Sequence, residues 1–380
     1  MHDNSLNDFA KNQLAIWEKK RLIRTPISTE RLDYGMINRG GENLVSFACN
    51  DYLGLTQHAK VKAAAIRATE KYGTGSGSSR LITGSNPLYG ELEQALANYH
   101  NKEAAIIFSS GYLTNLGIIQ TLMNARDLVV FDEFSHASLI DGIKISRAHF
   151  LRFSHNDVKN CAEIFSKKRA KAENAMLISE HVFSMEGTRA PISALSEIAK
   201  THQAWFLIDD AHGFATLEKP GHTADLWVGT LSKTLASIGG YVCAKREIID
   251  YLKTAVRPGI YSTALPPAAL AAALAALEII KSDADLAKKP LQNAKNFCAA
   301  LNLPAPESPI VPLIIGDIEK TFLMSAELQE AGFFVSTIRP PTVKTARLRF
   351  TFSAVHSSNQ IEQLSAEVKR LQKKYELHNA

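Results

Sequence analysis

Long uninterrupted apolar runs are missing from this 380-residue chain. The nearest, 266–280, is rich in alanine, carries Glu278 and is shorter than the roughly 20 residues a bilayer span requires. It reads as a buried helix, and no membrane attachment is expected. Cysteine is also scarce. Cys49, Cys161, Cys243 and Cys298 are widely spaced and form no Cys-x-x-Cys pair. That spacing argues against a disulfide framework and for reduced, buried thiols, so a cytoplasmic location is expected. Residues 1–10 carry Asp3 and Asp8 and lack an apolar centre, so they do not read as a signal peptide. Neither an internal repeat nor a low-complexity tract is present. A strong charge excess is missing too, at a net +5. The cluster Lys19-Lys20-Arg21 with Arg24 is too small to imply nucleic acid. It reads as a solvated helix end, with attraction to a phosphate-bearing acyl carrier as the alternative.

What is present is the composition of a globular enzyme, with 46% hydrophobic and 21% charged residues. The length implies about two domains. From residue 104 onward, short apolar runs alternate with helical patterns: 104–108, 128–131, 149–153, 175–179, 205–208, 226–228 and 241–244. This alternation predicts an α/β fold, a seven-stranded and mostly parallel sheet covered on both faces. Ligands of such sheets sit beyond the carboxyl ends of the strands. There fall Ser109-Ser110-Gly111-Tyr112, His136, residues 180–184, 209–212 and 230–233.

Ahead of the sheet, Leu6, Phe9, Leu14 and Trp17 recur at helical spacing and mark an amphipathic arm. A strand over 44–48 and a helix over 63–72 follow, then the glycine-rich loop 73–80. A dinucleotide fingerprint would need a strand before those glycines, and a helix stands there instead. The loop is a linker or a place where backbone approaches a ligand; the second is favoured because residues 81–84 and a helix over 88–99 follow at once. Beyond residue 280 the proline-rich stretch 304–312 leads into a smaller α+β unit. Strands are expected there over 311–315, 333–337 and 347–352, and helices over 318–331 and 359–376. The expected division is an arm (1–45), a large domain (46–283) and a small domain (284–380) that includes the arm.

Two stretches suggest chemistry. Leu226-Trp227-Val228-Gly229-Thr230 ends in Leu231-Ser232-Lys233-Thr234, a lysine among small polar residues. Trp205-Phe206-Leu207-Ile208-Asp209-Asp210-Ala211-His212 is an apolar strand ending in acid, with a histidine three residues on. Alone, such a lysine is more often a surface residue. Asp-Asp-Ala-His alone could be a capped turn or half a metal site. Together, an amine and a carboxylate are what a pyridine aldehyde needs. Ser109-Ser110-Gly111-Tyr112-Leu113-Thr114-Asn115 follows a strand and opens a helix, so the N–H groups of Gly111 and Tyr112 suit a phosphate, with the Thr230 hydroxyl in support. A plain Ser-capped turn is the alternative there.

In this order the motifs resemble the α-oxoamine synthases, a family of fold-type I enzymes dependent on pyridoxal 5'-phosphate (PLP). The resemblance runs from about Arg21 to the C-terminal strand. It rests on Asn50-Asp51-Tyr52-Leu53-Gly54-Leu55, Ser110-Gly111-Tyr112, His136-Ala137-Ser138, Phe183-Ser184-Met185-Glu186-Gly187, Asp209-Asp210-Ala211-His212-Gly213, Thr230 to Lys233, and Ser262-Thr263-Ala264-Leu265-Pro266-Pro267. His181 stands where the family more usually has Gly, Tyr89 where it often has His, and the loop before Ala346 is short.

The resemblance implies a role for each position. Lys233 would hold PLP, Asp209 would keep its ring nitrogen protonated, and His136 would stack on the ring. His212 and Ser184 would hydrogen-bond its phenolic oxygen. Thr263 would reach the phosphate from a second copy of the chain, making a homodimer with shared sites. Asn50 and Arg349 would hold an amino-acid carboxylate. Arg347 shares a strand face with Arg349, so spacing does not choose between them and the family pattern favours Arg349. Arg21 or Arg24 would meet the acyl substrate. The stretch Ile338-Arg339-Pro340-Pro341-Thr342-Val343 points to L-alanine and a pimeloyl thioester as substrates, carried by coenzyme A or an acyl carrier protein, on the route to biotin. Glycine with acetyl-CoA, serine with a long acyl chain, and aminotransfer are the rivals of the same fold. A non-catalytic scaffold subunit is the rival of a different class.

Overall fold

The computed structural model describes residues 5–20, 22–218 and 224–377. Fourteen strands are found among them. Three precede the main sheet: β1 (Thr29–Arg31), β2 (Met36–Arg39) and β3 (Glu42–Ser46). Seven build it: β4 (Ala104–Phe108), β5 (Leu128–Asp132), β6 (His149–Phe153), β7 (Ala175–Glu180), β8 (Trp205–Asp209), β9 (Leu226–Thr230) and β10 (Gly240–Ala244). Four follow: β11 (Ile310–Gly316), β12 (Phe333–Phe334), β13 (Ser336–Ile338) and β14 (Ala346–Thr351).

The main sheet has the order β4-β10-β9-β8-β7-β5-β6. Only β10 runs against its neighbours β4 and β9; the other pairs are parallel. The seven apolar runs of the sequence are these seven strands. Their continuous hydrophobicity follows from burial on both faces. Alternate residues enter two separate cores. Phe206, Ile208 and Trp227 pack on one face, while Leu207, Leu226 and Val228 pack on the other with Ile118, Ile119, Leu139 and Ile143 of the helices Gly111–Leu122 and Ala137–Ser146. By the same period of two, Glu180, Asp209 and Thr230 point toward the face covered by those two helices. This is what aims the strand-end side chains at one place.

A third core joins Phe47 to residues of helices Ala284–Ala300, Ile318–Glu330 and Ser358–Lys374 and of the antiparallel sheet β11-β14-β13. The strand expected over 333–337 is split here. Phe333 and Phe334 pair in parallel with β3, whereas Ser336–Ile338 pairs with β14. Buried Val335 lies at the switch, and its apolar character hid the break in the sequence pattern. The strand expected over 44–48 begins and ends two residues earlier, at Glu42–Ser46.

The arm helix Leu6–Lys19 is amphipathic as expected, but it buries no residue: Leu6, Phe9, Leu14 and Trp17 are all exposed. No helix among the described residues is long and apolar enough to cross a membrane. Loop 73–80 lies against its own chain, with Ser79 bridged to Thr263 and the Ser78 carbonyl accepting from Ala264 N–H at 3.0 Å.

Candidate active site

Beyond the carboxyl ends of β7, β8 and β9 lies a cavity of about 220 Å³. Its wall contains Lys233, Asp209, His136, His212, Thr230, Gly111 and Tyr112, seven of the residues nominated from sequence, together with Glu180 and Asn115. The amine and the acid therefore face one space.

Asp209 ends β8 and is buried. One carboxylate oxygen accepts from the Asn115 side-chain amide at 2.6 Å, and the other accepts from Ala211 N–H at 3.0 Å. Asn115 also donates to the Ser138 hydroxyl at 3.0 Å, which ties the acid to both covering helices. Lys233 follows Thr230 in a tight loop, whose closure is marked by Leu231 N–H donating to the Gly239 carbonyl at 3.0 Å. Burial brings the Lys233 ammonium down to about 8, although the charge of Asp209 works in the opposite direction. Taking a charge out of water disfavours it, and here that effect outweighs the attraction.

The helix Gly111–Leu122 starts over the same cavity. Ser110 caps it, accepting from Leu113 N–H at 3.1 Å. Gly240 allows this descent onto the sheet: a Cβ there would lie 2.6 Å from the nitrogen of Gly111. The Thr230 hydroxyl, 3.0 Å from the Gly239 carbonyl and 2.7 Å from the Ser232 hydroxyl, stands below the helix start. A helix N-terminus with flanking hydroxyls is an anion site.

His136 caps the helix Ala137–Ser146, its Nδ1 meeting the Ser138 hydroxyl at 2.8 Å. Burial, before any charge effect, lowers its pKa and favours the neutral ring. Burial likewise holds His212 well below the usual histidine range, helped by Lys233 and Arg349. Glu180 was visible in the sequence as a strand end but was given no role. It sits opposite Asp209 in the sheet register and accepts from His136 N–H at 2.5 Å. Burial and the nearby Asp209 charge raise its carboxyl well above the ordinary range, so it favours the protonated form. An acid ending the strand next to β8 was the signal.

Of the nominated residues that the structure describes, Asn50, Ser184, Thr263, Arg349 and Arg24 lie outside this cavity wall. Asn50 and Arg349 stand behind His212, joined to it through Tyr52, whose hydroxyl is 2.6 Å from His212 Nδ1. Arg349 Nε donates to the Ser184 carbonyl at 2.5 Å. Structure separates the two arginines that spacing could not. Arg347 is paired with Glu186 at 3.1 Å, while Arg349 makes no ion pair among the described residues. Thr263 is exposed, away from its own chain's cavity. Arg21 lies outside the described residues; Arg24 is exposed.

Two of the three departures from the family pattern, His181 and Tyr89, are built in. His181 is buried against Asp210 at 2.6 Å, and Tyr89 accepts from Leu265 N–H at 2.6 Å beneath the guanidinium of Arg80.

The donor set fits a phosphorylated pyridine aldehyde. The helix start and hydroxyls suit the phosphate, the buried carboxylate suits a protonated ring nitrogen, and the lysine suits the aldehyde. The buried Asn115 Oδ1 also lacks a hydrogen-bond partner among the described residues.

Comparison with known proteins agrees. The family model for aminotransferase class I and II matches residues 42–368. The 8-amino-7-oxononanoate synthase of Methylorubrum populi is 46% identical over 97% of this chain and 95% of its own length. That of Methylocella silvestris is 48% identical over 89% of this chain and 99% of its own. Among solved structures, serine palmitoyltransferase from S. paucimobilis, with a bound PLP–myriocin adduct, superposes with a TM-score of 0.92 at 27% identity, covering 99% of this chain and 100% of that one. The chain belongs to the aminotransferase class I and II family and, within it, to the α-oxoamine synthases, where it is most similar to the 8-amino-7-oxononanoate synthases.

Proposed function

We propose that the protein condenses L-alanine with a pimeloyl thioester to give 8-amino-7-oxononanoate, CO2 and a free thiol, in biotin biosynthesis. Its cofactor is PLP. The observation that carries this reading is one cavity lined by Lys233, Asp209 and the helix start at Gly111. The choice of alanine and pimeloyl rests on the names of relatives that match nearly end to end.

Lys233 would hold the cofactor aldehyde, and Asp209 would pair with the ring nitrogen. His136 would pack on the ring, and Gly111, Tyr112 and Thr230 would take the phosphate. His212 and Ser184 would hydrogen-bond the phenolic oxygen. Asn50 and Arg349 take the alanine carboxylate, for which the unpaired guanidinium of Arg349 is suited. Bound there, PLP supplies an electron sink for the amino-acid α-carbon.

The chain's part is proton handling and orientation. Lys233 Nζ would take the α-proton of alanine; a pKa near 8 leaves a useful fraction of free amine at neutral pH. The α-carbon bonds to the thioester carbonyl and the thiolate leaves. The resulting β-keto acid loses CO2, and Lys233 returns its proton to the α-carbon.

Thr263, exposed on its own chain, reaches the phosphate of a second copy, so the working unit is a homodimer. The division into an arm (1–45), a large domain (46–283) and a small domain (284–380) draws support from the separate third core, which also takes in Phe47. Arg21 or Arg24 meets the acyl chain, whose carrier is coenzyme A or an acyl carrier protein. Four free thiols suit the cytoplasm.

The test supplies PLP-loaded protein with alanine and pimeloyl-CoA or pimeloyl-acyl carrier protein, and follows CO2 and thiol together. Equal release of both, dependent on alanine, is expected. Pyruvate without thiol release would make the protein an aminotransferase. A stronger response to glycine with acetyl-CoA would change the substrates.

A further inference from the structure

We propose that Tyr52 fixes His212 as the neutral tautomer carrying its proton on Nε2, and so makes that histidine a hydrogen-bond donor into the cavity. Tyr52 is then a positioning residue: it is buried, stands outside the cavity wall, and acts only through His212.

The inference follows from counting protons. His212 is buried, and the groups acting on it are cationic or neutral: Lys233, Arg349 and His136. A second ring proton is therefore disfavoured, and a neutral imidazole has one N–H to place. Its Nδ1 is 2.6 Å from the Tyr52 oxygen, so one of the two must donate to the other. If Nδ1–H were the donor, the phenol would need another acceptor for its own proton. The next candidate is Asn50 Oδ1 at 3.5 Å, beyond the roughly 2.5–3.0 Å of a good O–H···O bond. Turning the Asn50 amide over would present an N–H₂ instead, which cannot accept. Arg349, which acts on the same phenol oxygen, is a donor only. A buried hydroxyl would be left without an acceptor, a costly arrangement.

With the phenol donating, every group is satisfied. The Arg349 charge acts on the Tyr52 oxygen, Tyr52 gives to Nδ1, and Nε2–H is left for the cavity. Burial also pushes the phenol up to about 12, so Tyr52 keeps its proton at any working pH. The chain of donors starts at Tyr52, beside the arginine read as the carboxylate site, and ends at the face where an anionic phenolic oxygen is expected. That consequence rests on the proposed function; the tautomer itself does not.

The experiment separates the two. Protein with ¹⁵N-labelled histidine, as purified, is examined by NMR, with the His212 signals assigned by their loss in His212→Gln. A protonated Nε2 and an accepting Nδ1 are expected, and Tyr52→Phe should remove that preference. A proton on Nδ1 in the unsubstituted protein overturns the inference, whether or not Tyr52→Phe folds.

In steady-state assays with alanine and the pimeloyl thioester, Tyr52→Phe should lower kcat by about three- to tenfold, the worth of one hydrogen bond, with KM for alanine little changed. In the His212→Gln background, already slowed by loss of the imidazole, Tyr52→Phe should lower kcat no further. Losses that multiply would show that Tyr52 acts independently of His212. An Nε2–H tautomer in a protein without condensing activity would sink the proposed function and leave the tautomer assignment standing.

Discussion

The site has two halves built on different principles, the cavity wall and a cluster of residues outside it that reaches the wall through His212. The half holding Lys233, Asp209, His136 and Thr230 rests on the ends of adjacent strands and on the first turns of two helices packed against them. The half holding Asn50, Tyr52 and Arg349 is assembled from a segment after β3, a strand of the small sheet and the loop after β7. In the first half, one register sets every side chain: Glu180 faces Asp209, and Asp209 faces Val228, across neighbouring strands. In the second, position depends on how separate units dock. The first half should govern chemistry and cofactor, the second the amino-acid substrate.

Substitutions can break this division. Lys233→Ala should lower condensation by about a thousandfold or more while the chain still folds; normal turnover would refute the assignment of the base. Next in size is the pH dependence of aldehyde capture. Burial favours the uncharged amine, so protein stripped of cofactor should take up PLP about fiftyfold faster at pH 8 than at pH 6, levelling above about 9. A rise only near the ordinary lysine value would show that the amine is solvated. Arg349→Gln should raise KM for alanine by about thirtyfold and leave PLP affinity unchanged, as expected for loss of a charged hydrogen-bond partner. Arg347→Gln, which breaks the pair with Glu186, should alter KM by less than about threefold and chiefly lower the melting temperature. If the two arginines behaved alike, the split between them would be wrong. Smallest is Thr230→Val, expected to weaken PLP binding by about three- to tenfold, with Thr230→Ser near the parent value in an equilibrium titration.

The same division explains what could be read from the chain. Strands buried on both faces appear as apolar runs, and their ends can be counted, so Lys233, Asp209, His136 and Thr230 were visible as a group. Tyr52 carried no such signal. Its partner His212 is 160 positions away, and only docking of the segment 50–55 onto the turn after β8 joins them. Arg347 and Arg349 are equivalent by strand periodicity; Glu186, from another loop, distinguishes them. The break at Val335 was hidden because a residue between two sheets is as apolar as one within a strand.

The most direct test of the central claim is chemical trapping. Borohydride reduction of the PLP-loaded protein, followed by mass spectrometry of its digest, should place the pyridoxyl group on the peptide containing Lys233, and Asp209→Ala should weaken that labelling. Label on another lysine, or none, would contradict the account.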